Sequence, residues 1–108
     1  ILCIDEPYLE SQLAFFESGE LKKIIVAYEP IAFISDGTPG KTDSPEHANE
    51  VAQKIHRVTD VNMPVLYGGS VSEVTVKSFT DQSDLRGVLV GGASLDPQTW
   101  SALVEAVI

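Results

Sequence analysis

Short apolar runs alternate with segments of helical period along this chain. The runs are three to five residues long and mostly β-branched, which is too short for a buried helix and typical of strands. They cover residues 1–4, 24–28, 65–67 and 88–90. A helical segment follows each run, so the pattern predicts four strand–helix pairs in succession.

The segment after residue 44 gives the clearest helix prediction. Its apolar positions share one face at helical spacing: Ala48, Val51, Ala52, Ile55 and Val58. Ser44 can accept a hydrogen bond from a free N–H of the first turn, and Pro45 suits the first helical position. Asp96 and Pro97 repeat this start signal before a second stripe, formed by Trp100, Leu103, Val104 and Val107. The weaker stripes are Leu9, Leu13 and Phe16 after the first run, and Val71, Val74 and Phe79 after the third.

Repeated strand–helix pairs predict a parallel sheet, because a helix must carry the chain back before the next strand can run in the same direction. We therefore expect an α/β fold in which residues 1–108 form a single domain. Two architectures fit the pattern: a small open doubly wound sheet, and part of an eight-stranded barrel, which needs about 250 residues when complete. Both architectures place their chemistry at the carboxyl ends of the strands.

The composition favours a globular protein with an acidic surface. Hydrophobic residues make up 44% of the chain, and 16 acidic against 7 basic residues give a net charge of −9. This charge opposes binding to nucleic acid or to an anionic membrane, so any anion site must be local. Cys3 is the single cysteine, which excludes an intrachain disulfide and suits a reducing compartment. No apolar run approaches the roughly 18 residues of a membrane-spanning helix, and no signal peptide is visible.

Three of the predicted strands end in residues that suit a ligand site. Glu29 follows the second run, residues 68–70 (GGS) follow the third, and residues 91–94 (GGAS) follow the fourth. Glycine pairs let backbone N–H groups approach an anion closely, and a helix N-terminus beyond them adds partial positive charge. The alternative is that each pair only makes a tight turn. Two pairs at neighbouring strand ends favour a shared phosphate site.

Glu29 is a candidate catalytic residue, since it ends an apolar strand at the same edge as the glycine pairs. The alternative is that it only marks the exit of the chain to solvent. Cys3 is interpreted as a small packed side chain rather than a nucleophile. His47 and His56 lie nine residues apart, on different faces of one predicted helix, and make no metal pair.

Residues 35–42 (SDGTPGKT) match the spacing of a nucleotide-binding P-loop except at the first position, where Ser35 replaces glycine. A P-loop runs straight into its helix, whereas Ser44 and Pro45 start this helix later. The sequence therefore disfavours a nucleotide triphosphatase. The loop is instead long enough to act as a lid.

Four stretches together resemble the triosephosphate isomerase family. They are VAYEPI with GKT after it, YGGSV (67–71), LVGGASL (89–95) and CIDE (3–6), where the family usually has CIGE. They occur in the family's order and at suitable spacing. The resemblance covers almost the whole chain but only the carboxyl half of the family's barrel. It therefore implies a parallel (βα)4 half of a TIM (β/α)8 barrel, formed by strands five to eight.

The resemblance implies an isomerase that interconverts dihydroxyacetone phosphate and glyceraldehyde 3-phosphate in glycolysis and gluconeogenesis. The family's enzyme is cytoplasmic and homodimeric and uses no cofactor or metal. Glu29 matches its catalytic base, and residues 31–41 match its lid. Tyr67 and Ser70 match residues that latch the closed lid, and Glu6 matches a buried acid that supports the site. The phosphate ligands are matched by Ser70, Gly91 and Gly92, and by either Ser35 or Gly37 in the lid.

Two catalytic residues of the family have no counterparts in this chain: a lysine at the end of its first strand and an electrophilic histidine at the end of its fourth. A half-barrel also exposes two strand edges. We therefore expect the isolated chain to be inactive and to self-associate or pair with an amino-terminal half-barrel. Its start at Ile1, without Met, suggests that the true beginning lies elsewhere. The alternative to an enzyme is a non-catalytic, self-associating half-barrel that binds phosphate.

Overall fold

The computed structural model describes residues 1–33 and 42–108, and in these residues four parallel strands form one sheet. The strands are β1 (Leu2–Ile4), β2 (Val26–Tyr28), β3 (Val65–Tyr67) and β4 (Gly87–Val88). They pair in chain order, β1 with β2, β2 with β3 and β3 with β4. A doubly wound sheet reverses its order partway, so this unbroken order is that of a barrel segment. Among the described residues the segment stays open, since β1 and β4 each pair with a single strand.

Helices follow the strands as predicted. They are α1 (Leu9–Leu13), α2 (Ser18–Leu21), α3 (Pro45–Thr59), α4 (Val76–Thr80) and α5 (Pro97–Val107), and short 3-10 turns span Glu6–Tyr8, Ile31–Phe33 and Gly92–Ser94. The predicted start of α3 is confirmed, because Ser44 Oγ accepts a hydrogen bond from the His47 N–H at 3.0 Å. Asp96 caps α5 in the same way, accepting from the Thr99 N–H at 2.8 Å. Within the described ranges, no helix combines the length and the apolar character needed to cross a membrane.

The strand register sorts the side chains into two faces. Ile4, Tyr28 and Tyr67 lie side by side on one face, and all three are buried. The Tyr67 ring stacks on Phe79 of α4 with 4.0 Å between the ring centroids, so this face packs against the helices. Cys3 and Ala27 lie side by side on the opposite face, which is the inner face of the barrel segment.

Several apolar positions of the predicted helical stripes are exposed. Val58 of α3 is 45% exposed, Val74 lies before α4 and is 83% exposed, and Trp100 of α5 is 45% exposed. Leu103 is the one fully buried residue of α5. The first, second and fourth strands also differ from their predicted bounds, and the fourth spans two residues. Helical spacing identifies the residues that share a face, but not whether another element covers that face.

Candidate functional site

Glu29 lies at the carboxyl end of β2, between residues of both neighbouring strands. Its N–H donates to the Ile4 carbonyl at 2.8 Å, which continues the β1–β2 pairing. Its Oε1 accepts a hydrogen bond from Cys3 Sγ at 3.3 Å. On the β3 side, a Cβ added at Gly68 would lie 2.5 Å from Glu29 Cγ. The candidate base is therefore half-buried in a slot that is wide enough only because residue 68 is glycine.

Cys3 is exposed, so the prediction of a packed side chain is wrong. It lies on the inner face of β1, where the described residues provide no further strand to cover it. Although the residue is exposed, partial desolvation of its thiol raises the pKa of Cys3, and so do the hydrogen bond to Glu29 and the charge of that carboxylate. The raised pKa keeps the thiol protonated, and a protonated thiol is a poor nucleophile.

Ser70 holds the chain that follows Glu29. The Ser70 N–H donates to the Phe33 carbonyl at 2.9 Å, and the Ser70 hydroxyl donates to the same oxygen at 3.0 Å. Phe33 is the last described residue before residues 34–41. Ser70 therefore fastens the chain on the amino side of residues 34–41.

Tyr67 makes the corresponding contact on the carboxyl side of that segment. Its hydroxyl accepts a hydrogen bond from the Asp43 N–H at 3.0 Å and shares one with Thr42 Oγ1 at 3.2 Å. The Tyr67 ring is fully buried, and burial raises the pKa of Tyr67, so the hydroxyl stays neutral. Gly69 must be glycine here, because an added Cβ would clash with the Tyr67 hydroxyl. Ser70 thus binds Phe33, and Tyr67 binds Thr42 and Asp43, so each predicted latch residue contacts the chain next to residues 34–41.

Gly91 and Gly92 follow β4 and are exposed. A Cβ added at either residue would meet no atom within 4 Å, in contrast to Gly68 and Gly69. Packing therefore does not require glycine at these positions, and their backbone is open to a ligand. The other candidate phosphate ligands, Ser35 and Gly37, lie outside the described residues, as does most of the P-loop-like stretch.

Asp43 is a buried carboxylate next to the candidate site that the sequence pattern does not predict, with 6% of its surface exposed. Its carboxylate accepts hydrogen bonds from the Tyr28 hydroxyl at 3.1 Å, from the Ser44 N–H at 2.8 Å and from His47 Nδ1 at 2.8 Å. Burial, and then the charge of Asp43, raise the pKa of Tyr28, so its hydroxyl is a neutral donor. The signal in the sequence was the spacing of Asp43 and His47, four residues apart at a helix start.

Glu6 follows β1 and contacts His47. Its Oε2 lies 3.0 Å from His47 Nε2, and its side chain is 37% exposed, so it is not the buried acid that the resemblance implied. His56 lies elsewhere on α3, where its Nε2 is 2.9 Å from the Met63 carbonyl oxygen. In the part of the chain that the structure describes, no three His, Cys, Asp or Glu side chains are grouped to hold a metal ion.

Comparison with known proteins decides the family. A model of the family described as triosephosphate isomerase matches residues 1–107 of the chain. The chain belongs to the triosephosphate isomerase family. The predicted family is thereby confirmed, and so is the prediction of a parallel α/β part of its barrel.

Curated proteins named triosephosphate isomerase are similar in sequence to most of this chain. The triosephosphate isomerase of Gloeobacter violaceus is 42% identical over 104 residues, which are 94% of this chain and 42% of the relative. The one from Mycoplasmoides gallisepticum is 42% identical over 106 residues, 91% of this chain and 41% of the relative. The one from Mesomycoplasma hyorhinis is 47% identical over 85 residues, 79% of this chain and 34% of the relative. The chain thus spans less than half the length of these curated relatives.

Proposed function

We propose that this chain supplies the carboxyl half of a triosephosphate isomerase, which interconverts dihydroxyacetone phosphate and glyceraldehyde 3-phosphate. Membership of the family supports this reaction. The observation that carries the proposal is the position of Glu29, a half-buried carboxylate at the carboxyl end of a barrel strand. It lies beside Gly68 after β3, at the same edge of the sheet as the glycine pair after β4. The reaction belongs to glycolysis and gluconeogenesis, and we place it in the cytoplasm.

Glu29 is the base that takes a proton from the carbon next to the substrate carbonyl and returns it to the carbonyl carbon. A positioned carboxylate can take a proton from one carbon and return it to the next. The hydrogen bond from Cys3 and the space left by Gly68 fix the orientation of the Glu29 side chain. A carboxylate cannot polarise a carbonyl, so the lysine and histidine of the family must come from an amino-terminal half-barrel.

The phosphate group binds at the neighbouring strand ends. Its ligands are the backbone N–H groups of Ser70, Gly91 and Gly92, joined by Ser35 or Gly37 of the lid. Backbone N–H groups can bind an anion in a chain whose net charge is −9. The Ser70 N–H donates to Phe33 here, so phosphate binding at that group requires the Phe33 carbonyl to move away. Tyr67 and Ser70 latch the lid, and Glu6 supports the site through His47.

The partner of this chain is an amino-terminal half-barrel. β1 and β4 each pair with one strand in the described residues, which leaves backbone groups on their outer edges for two further strands. The exposed Cys3 on the inner face would be covered in a closed barrel. Without the lysine and histidine of that half the isolated chain is inactive, and self-association through the same edges is the alternative.

A coupled isomerase assay tests the proposal on the 108-residue chain alone and on the chain mixed with an amino-terminal half-barrel that carries the lysine and histidine. We expect turnover only in the mixture. Glu29→Gln should lower kcat by about 10²- to 10⁴-fold, the usual contribution of a general base. Glu50→Gln removes an exposed acid of α3 and should leave kcat unchanged. Equal kcat for both variants would contradict the role of Glu29.

A binding measurement separates the enzyme from a non-catalytic, self-associating phosphate-binding half-barrel. The probe is a phosphorylated enediolate mimic, titrated into the chain with and without the amino-terminal half. Binding without turnover in either sample, together with a dimer mass for the chain alone, would support the binding module. Turnover in the mixture with a 1:1 complex mass would support the enzyme.

A further inference from the structure

His47, in the first turn of α3, has both ring nitrogens on carboxylates. Its Nδ1 lies 2.8 Å from Asp43 Oδ2, and its Nε2 lies 3.0 Å from Glu6 Oε2. Asp43 belongs to the segment that leads into α3, and Glu6 to the turn that follows β1. One imidazole therefore joins two elements that are far apart in the chain.

The geometry determines the charge of this imidazole. An ionised carboxylate only accepts hydrogen bonds, so each ring nitrogen that faces one must carry a proton. A neutral imidazole has one N–H and could satisfy only one of the two carboxylates. Two N–H groups make the imidazolium cation, and charge-assisted hydrogen bonds of this kind are the stronger ones.

Acidic groups dominate the surroundings of His47. The Tyr28 ring of β2 meets the imidazole edge-on at 6.3 Å, and its neutral hydroxyl donates to Asp43. The charge of Asp5 also helps to raise the pKa of Tyr28. Glu46 and Glu50 are exposed acids on the same helix as His47. Lys54 of α3 and Glu10 of α1 line an open groove with Glu6. The hydrogen bond to Asp43, opposed by partial burial and helped by the charges of Asp43 and Glu6, raises the pKa of His47.

We propose that the His47 imidazolium is a positioning residue for Glu29. The bridge holds Asp43 in place, and Asp43 accepts the hydrogen bond of Tyr28, the residue directly before Glu29. Asp43 also donates its N–H to Tyr67 at the end of β3. The cation thus ties together the carboxyl ends of β1, β2 and β3, at the edge where Glu29 lies. The contacts of His47 with Asp43 and Glu6 do not depend on the proposed isomerase activity. The positioning of Glu29 by these contacts rests on that proposed function.

The direction of the His47 pKa shift determines how the stability of the bridge changes with pH. The pKa of His47 is raised in the folded state, so its stabilising contribution is complete below the unfolded value of 6.5. The contribution is lost as pH rises through the folded pKa. The bridge therefore weakens on the alkaline side of pH 6.5, where the imidazole becomes neutral and one carboxylate loses its donor.

The first experiment is an NMR titration of the His47 ring nitrogens in the 108-residue chain, which does not require turnover. We expect both nitrogens to be protonated at pH 6 and the titration midpoint to lie above 6.5. Asp43→Asn and Glu6→Gln should each lower that midpoint. Glu46→Gln is the matched control: it removes an exposed acid of the same helical turn whose side chain makes no ion pair with the imidazole, so the midpoint should stay nearly unchanged. A midpoint at or below 6.5, or one that neither variant lowers, would overturn the bridge.

The second experiment measures kcat and KM against pH for the chain assembled with the amino-terminal half. The wild type should lose kcat, with KM nearly constant, as pH rises through the His47 midpoint found by NMR. His47→Gln keeps a donor but carries no charge, so it should have lower kcat at pH 6 and lack that pH step. If kcat depends on pH in the same way in wild type and His47→Gln, His47 does not position Glu29. No turnover by the wild type at any pH would instead contradict the proposed function, and the NMR titration would still decide the bridge.

Discussion

Gly68 and Glu29 fit against each other across the ends of β3 and β2. A Cβ at Gly68 would lie 2.5 Å from Glu29 Cγ and 3.2 Å from its Oε1. The requirement for glycine is steric, since among the described glycines it is Gly87, not Gly68, that has a positive φ. The missing side chain at Gly68, directly after β3, thus leaves the space that the Glu29 side chain occupies.

Gly68→Ala should displace Glu29 and destabilise the fold. Overpacking of this kind usually costs about 1–3 kcal/mol in the free energy of unfolding. Gly19→Ala is the matched control, because the added Cβ meets no atom within 4 Å and the change should stabilise α2 by about 0.4–1 kcal/mol. Urea unfolding measures both variants, and kcat in the assembled enzyme should fall for Gly68→Ala only. Unchanged stability and kcat in Gly68→Ala would contradict the fit described above.

Tyr67→Phe should destabilise the chain by leaving the Asp43 N–H without its acceptor. A buried donor without a partner costs about 1–3 kcal/mol in the free energy of unfolding. The stacking on Phe79 needs no hydroxyl and should persist. Tyr8→Phe removes the hydroxyl of a tyrosine that is 58% exposed and serves as the control. Equal urea midpoints for the two variants would show that the Tyr67 hydroxyl does not hold this segment.

Cys3 should react slowly with iodoacetamide at pH 8, because its raised pKa keeps the thiol protonated. Glu29→Gln removes the charge that contributes to this shift and should therefore lower the pKa and speed the alkylation. Glu50→Gln changes the net charge equally, but lies on α3 away from the contact between Cys3 and Glu29. The alkylation rate, followed by mass spectrometry across a pH series, gives the midpoint for each variant. The same midpoint in wild type and Glu29→Gln would show that Glu29 does not influence the thiol.

Local signals explain why much of the fold could be predicted. The Ser44 cap contacts the N–H of a residue three positions later, so its bond depends on neighbouring sequence alone. The place of Glu29 at a strand end is predicted for a similar reason, since the apolar run before it predicts a strand. The glycine pairs stood out as turn residues, although the need for space at Gly68 and Gly69 comes from side chains of β2 and β3.

The bridge at His47 escaped prediction because its partners come from separate elements. Glu6 follows β1, Tyr28 ends β2 and Asp43 precedes α3, so no short pattern contains them all. The sequence predicts a packed Cys3 because small apolar side chains of strands are usually covered. It is exposed because it lies on the inner face of the edge strand β1, which no further strand covers in the described residues.

By itself the sequence determined the order of strands and helices, the starts of α3 and α5, and the strand end that carries Glu29. These features depend on spacing and on hydrogen bonds between residues that are close in the chain. The tertiary structure alone decided that Val58 and Trp100 are exposed, that Gly68 makes room for Glu29, and that His47 joins Asp43 to Glu6. Burial and long-range hydrogen bonds depend on neighbours that meet only when the sheet and its helices pack together.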